Sequence, residues 1–210
     1  MTLGEVKAEA LKLMFARADV VISANLIDLL AEDERFSDYL RGMTGAVNRC
    51  FSSLEQKRIL PLKTYLVPAR EGTDSDLFLR VDLTRDIPDL FDVCRVCAEY
   101  EDTHRYIGAA PFEREGYTLL LENRKDAHYR VLYYPVLPRI SASSPNELSL
   151  PLPEGISSLI PYYIKGDLFR LDDPAEAAEA RNWYEQMTDN YCGRDIAYPT
   201  SQSVFSLAEV

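Results

Sequence analysis

The sequence predicts an α+β fold: a helical bundle built from the N- and C-terminal segments, carrying an inserted small antiparallel β-sandwich or barrel module. Three observations lead there. Apolar residues recur at three and four positions through residues 1–60, and again through 150–194. Between them, Leu77, Leu79, Val81 and Leu83 alternate with Phe78, Arg80 and Asp82, the two-residue period of a strand. Finally, the apolar stripes at the two ends each need a partner, and packing on each other leaves residues 61–149 as an insertion.

The elements follow in order. Thr2 and Glu5 have capping-box spacing, so a helix begins there with Leu3, Val6, Ala10, Leu13 and Met14 on one face up to about Arg17. A short helical stretch near Asn25 to Glu32 comes next. Phe36, Tyr39, Leu40, Met43, Val47, Cys50, Phe51 and Leu54 then trace one face of a long helix, which Pro61 stops. Gly42 and Gly45 weaken that helix or admit a close neighbour.

Further strands are expected at Leu62 to Val67, Phe91 to Tyr100, His104 to Ala109, Tyr117 to Glu122 and Tyr129 to Tyr134. The short polar gaps Glu113 to Gly116 and Asn123 to Asp126 read as turns, so the last two strands pair as a hairpin. Ser141 to Asn146 reads as a surface loop. Ile156, Leu159, Ile160, Tyr163, Ile164 and Leu168 form an amphipathic face that Pro161 either opens or kinks. Asp173, Pro174 and Glu176 supply an N-cap, a first-turn proline and a reciprocal cap for a last helix with the stripe Ala177, Ala180, Tyr184, Met187 and Tyr191. Gly193 ends it, and residues 195–210 form a flexible tail.

Composition narrows function. The chain of 210 residues is 47% hydrophobic and 27% charged, enough to bury a core and exclude wholesale disorder. With 23 basic and 34 acidic side chains it carries a net charge of −11, which argues against wrapping nucleic acid through its phosphates. The run Leu11 to Ala16 is broken by Lys12 and followed by Arg17 and Asp19, so neither a signal peptide nor a membrane span is expected, and the chain reads as a cytosolic product.

Chemistry-bearing clusters are sparse. Cys94-x-x-Cys97 with His104 nearby is the one metal-like grouping, but Cys50, Cys192 and His128 are scattered, so the thiols read as reduced hydrophobes and no metal or cofactor is expected. The two histidines, His104 and His128, lie in no nucleophile context, and a hydrolase using either is the weakest reading. The carboxylate pair Asp172 and Asp173 is explained by capping. Tyrosine is in excess, with 13 residues including Tyr129, Tyr133, Tyr134, Tyr162 and Tyr163. Such rings serve as core and interface area, or stack on sugars; the second possibility gives a carbohydrate- or peptide-binding β-module on a helical support.

Several stretches, taken in order, resemble a known family. They are Thr2-Leu3-Gly4-Glu5-Val6-Lys7, Phe91-Asp92-Val93-Cys94-Arg95-Val96, Tyr129-Arg130-Val131-Leu132-Tyr133-Tyr134-Pro135, and Leu152-Pro153-Glu154 with Leu159-Ile160-Pro161-Tyr162-Tyr163-Ile164-Lys165, then Leu168, Asp173, Ala177, Ala180, Tyr184 and Glu185. This order is similar to that of the head-tail adaptor (connector) proteins of tailed bacteriophages and prophages. The resemblance implies a non-enzymatic virion protein, made in the bacterial cytoplasm, that assembles as a ring below the portal and completes the DNA channel. Its partners would be copies of itself in a ring, the free protein being able to stay monomeric, and portal and tail proteins, with DNA passing but not specifically bound and no membrane. Assembly candidates are Tyr133, Tyr134, Pro161, Tyr162, Tyr163, Asp173, Trp183 and Tyr184. Residues 166–195 hold eight acidic and three basic side chains, which would either repel DNA from a channel wall or simply solvate a helix.

Overall fold

The structure, a computed structural model, describes residues 1–16, 20–68, 77–100, 105–124 and 127–192. In chain order the elements are α1 (Leu3–Met14), a 3₁₀ turn (Ala24–Leu26), α2 (Ile27–Leu30), α3 (Glu34–Gln56), β1 (Lys63–Leu66), β2 (Phe78–Asp82) and α4 (Leu83–Asp86). There follow β3 (Leu90–Tyr100), β4 (Arg105–Ile107), β5 (Phe112–Glu115), β6 (Thr118–Glu122), β7 (Ala127–Pro135), α5 (Glu154–Ser157), α6 (Ile160–Leu168) and α7 (Pro174–Cys192). The fold is thus mixed α and β. It separates into two compact units, one joining Met1–Ile59 to the chain from Leu137 through α7, the other comprising Leu60–Val136.

In the helical unit, α1 is opened by Thr2, whose hydroxyl accepts from the Glu5 amide (3.2 Å) while the Glu5 carboxylate accepts from the Thr2 amide (2.7 Å). Leu3, Val6, Ala10 and Leu11 are completely buried. In α3, the Asp33 carboxylate accepts from the Arg35 amide at the N-terminus, and Phe36, Met43, Val47, Cys50, Phe51 and Leu54 form the buried face. The helix ends at Gln56 rather than running on to Pro61, because Arg58 takes a left-handed conformation (φ 54°). A Cβ on Gly42 would stand 3.2 Å from Leu168, so this glycine does admit a neighbouring helix. Both α1 and α3 pack on α6, which packs in turn on α7.

Residues 137–149, expected with the β insertion, belong to the helical unit, and their backbone bonding explains why. The Asn48 side chain of α3 accepts from the Ile140 amide and donates to the Ile140 carbonyl (2.9 and 2.8 Å), and the Leu137 amide donates to Glu55 (2.7 Å). The first α1 amides, Leu3 and Gly4, donate to the carbonyls of Leu148 and Asn146, both at 2.8 Å. A segment whose polar backbone groups are satisfied by two helices stays with those helices.

The β unit holds two antiparallel sheets, with strand orders β1-β7-β3-β4 and β2-β6-β5, and neither closes into a barrel. Val81, Leu119 and Leu121 from one sheet and Val96, Ala98, Tyr129, Val131 and Tyr133 from the other share one apolar cluster with Leu83 and Ile87. The expected hairpin of the last two strands does not form: β6 pairs with β2 and β5, and β7 pairs with β1 and β3. The stretch read as a turn, Glu113 to Gly116, is mostly strand β5, and the tight connection is Gly116-Tyr117, where Gly116 takes φ +60° as a two-residue loop requires. β5 escaped the sequence reading because all four of its side chains are exposed, leaving no alternation to see. Leu83, expected to end a strand, starts α4, whose first amides donate to the Asp82 carboxylate.

Candidate functional site

The C-terminal helices position most of the predicted assembly residues. Pro161 stands in the first turn of α6, where a missing N–H costs nothing, so it opens the helix instead of kinking it. Asp173 caps α7, its carboxylate accepting from the amides of Ala175 (3.1 Å) and Glu176 (3.0 Å). The reciprocal bond expected from Glu176 is absent. The Asp173 amide donates to the Phe169 carbonyl, and the Glu176 carboxylate accepts from Lys165 Nζ at 2.6 Å.

On the solvent side of this helix pair, Tyr162 and Trp183 stack with ring centroids 3.9 Å apart and planes inclined by 25°. Trp183 remains 37% exposed. The stack borders a groove of about 310 Å³ that also involves Leu13 of α1, Lys165, Glu176 and Glu179. Lys165 is tethered there, donating to the Leu13 carbonyl (2.8 Å) as well as to Glu176, so it closes the C-terminal end of α1. A flat aromatic pair with a carboxylate rim offers large contact area at small entropic cost.

The neighbouring rings behave differently. Tyr163 and Tyr184 meet edge to face at 5.0 Å inside the unit, and Tyr184 is completely buried. Its hydroxyl donates to Ser53 Oγ (3.1 Å) and accepts from Cys50 Sγ (3.8 Å). Burial pushes the Tyr184 phenol well above its ordinary range and the Cys50 thiol up to about 12, so neither is a nucleophile at neutral pH. The Arg181 guanidinium lies 4.5 Å from the Tyr163 ring centroid. These two tyrosines are core, not surface.

In the β unit, Tyr133 is 7% exposed and donates to Asp89 Oδ1 at 2.9 Å, while Asp89 Oδ2 pairs with Lys63. Its ring therefore packs within the apolar cluster and offers no face to a sugar, and Tyr134, the next residue on β7, is half-buried. Cys94 is exposed and falls at a register shift of β3 between Val93 and Arg95, while Cys97 is buried with its thiol donating to the Gly108 carbonyl, so the regular alternation expected to set the two thiols on opposite faces is interrupted between them. Among the described residues no group of three His, Cys, Asp or Glu side chains is arranged to hold a metal. No described helix is long and apolar enough to cross a membrane. His104 and the tail over 195–210 lie outside the described residues.

The acidic stretch after residue 166 is largely tied down. Asp167 pairs with Arg49, Asp172 accepts from the Tyr39 hydroxyl, Asp173 caps α7, Glu176 holds Lys165, and Glu185 and Asp189 both engage Lys57. These contacts join α7 and its preceding turn to α3 and α6. Of the groove residues, Glu179 is the one sequence reasoning passed over, and Leu13 was read only as part of the α1 stripe; it lies 149 residues before Tyr162, and no local spacing links them.

No protein-family model matches the chain, and no curated protein matches it at a significant level.

Proposed function

We propose that this protein is a non-enzymatic head-tail adaptor of a tailed bacteriophage or prophage. In this reading the helical unit is the body of a bundle and the two sheets form a small sandwich-like insertion. Subunits join head to tail into a ring below the portal, first in the host cytoplasm and then in the virion. The ordered run of segments that resembles the adaptor family motivates the proposal, and the Tyr162–Trp183 stack is the observation that carries it. An aromatic pair held rigid yet partly exposed is the kind of anchor that protein interfaces bury.

A closing head-to-tail ring needs two unlike patches on every subunit. The aromatic stack is one. The other is β5, an edge strand among the described residues, followed by Tyr117 at 73% exposure and carrying Phe112 at 39%. Such an edge presents unpaired backbone groups to a partner strand. The acidic residues of α7 contribute to this role chiefly by fixing the helix pair, since most of them are already ion-paired or capping.

The test is light scattering of the protein alone and mixed with the portal protein of the same phage genome. A ring-sized species in the mixture, weakened by Trp183→Ala, is expected. No co-assembly at any salt concentration overturns the proposal.

A further inference from the structure

A second groove in the helical unit, about 460 Å³, brings together three arginines that are far apart in sequence. Arg49 of α3, Arg139 of the segment leading back to α3, and Arg181 of α7 line it together with Ser52, Gln56 and Tyr163. No carboxylate lines it. Each guanidinium is nevertheless pinned by a carboxylate outside the lining. Asp167 accepts from Arg49 Nε (3.0 Å) and Nη2, Glu55 from Arg139 Nη2 (2.7 Å), and Glu185 from Arg181 Nε (3.2 Å). A guanidinium has five N–H donors, so one carboxylate orients it without exhausting it. Arg181 is steadied further by the Tyr163 ring.

We propose that this groove binds a small phosphate-bearing ligand, its phosphate oxygens accepting from the three arginines, with Ser52 and Gln56 adding hydrogen bonds. The planar fork of arginine matches the oxygen spacing of a phosphate, and donors already held in place lose little freedom on binding. The same pairing decides the size of the ligand. At physiological salt, charges beyond roughly 8 Å are screened, and each arginine with its carboxylate presents a dipole rather than a net charge at longer range. A chain of net charge −11 gives a long polyanion no steering, whereas a compact oxyanion inside the groove meets the donors at hydrogen-bond distance. The inference does not depend on assembly with a portal.

Isothermal titration calorimetry of the full chain at constant ionic strength tests it, with inorganic phosphate and ribose 5-phosphate as probes and ribose as the uncharged control. Saturable binding of both phosphates and none of ribose is expected. Arg49→Gln should weaken binding by about tenfold, the loss of one charge-assisted hydrogen bond. Gln56→Glu, which places a carboxylate at an exposed position of the groove, should weaken it at least as much while leaving the circular dichroism melt unchanged. Absence of saturable binding, equal binding by Gln56→Glu, or tighter binding of a short DNA duplex through the same arginines overturns the proposal.

Discussion

Glu55 is 3% exposed, and both of its carboxylate oxygens are used, one by the Leu137 amide and the other by Arg139. Glu55→Ala leaves a buried N–H without an acceptor and an arginine without its counter-charge, and should cost about 3 kcal/mol in urea denaturation. Glu55→Gln, which keeps one acceptor, should cost less. Nothing in the sequence marks this glutamate, because it sits beside Leu54 at the margin of the α3 stripe and its partners lie more than eighty residues away. Asp173 was legible because a cap is a local device, completed within three residues. Tyr133 was visible as one of many tyrosines, but its bond to Asp89, 44 residues away, was not.

That bond carries a pH dependence. Burial, then the bond to Asp89, pushes the Tyr133 phenol up to about 12, and burial with the Asp172 bond does the same for Tyr39. Unfolded, both ionise near 10, so the folded state holds more protons above that value and stability falls as pH rises from 10 toward 12. The fall should show as a lower urea midpoint, and Tyr133→Phe should make it shallower. Asp89 acts at the other end. Burial alone would raise its pKa, but hydrogen bonds from Lys63 and Tyr133 outweigh that and hold it below the usual carboxylate range. Its contribution is present above about pH 4 and is lost as pH falls through the depressed value.

At the scale of elements, the contact between α6 and α7 depends on Gly166. A Cβ there would stand 3.1 Å from Arg181 Cβ and 3.2 Å from both the Ala177 carbonyl oxygen and the Arg181 amide nitrogen. Backbone cannot yield as a side chain can, so Gly166→Ala should force the helices apart and cost about 1–3 kcal/mol despite the better helix propensity of alanine, as a thermal melt would show. Asp173→Ala, removing the α7 cap, should cost about 1 kcal/mol in the same measurement.

The helices were readable from sequence because their periodicity and caps are local, and even the wrongly placed end of α3 missed by only a few residues. Strand positions were readable where one face is buried, as in β2 and β7. Strand partners were not. Pairing β1 with β7 joins residues nearly seventy positions apart, and no local pattern encodes that choice. Thr188, fully buried and accepting from Lys57, holds a place on the α7 stripe that its polarity concealed.

For the whole molecule, the decisive arrangement is that α1 and α3 meet chiefly through α6, an element near the other end of the chain. A fragment comprising residues 1–150 lacks α6 and α7, so it should lose helical circular dichroism and bind a hydrophobic dye, whereas the full chain should do neither. The packing of the N-terminal helices on α6 was anticipated from the unpartnered stripes. The two grooves were not, since each is assembled from residues on separate elements that only the packed helices bring together.

The same dependence on α6 has a consequence during synthesis. A ribosome adding roughly 5–20 residues per second needs on the order of ten seconds to make everything between α3 and α6. For that interval the oily faces of the first helices have been translated but lack their main mate, so a ribosome-bound chain stopped before α6 should leave that surface open to water.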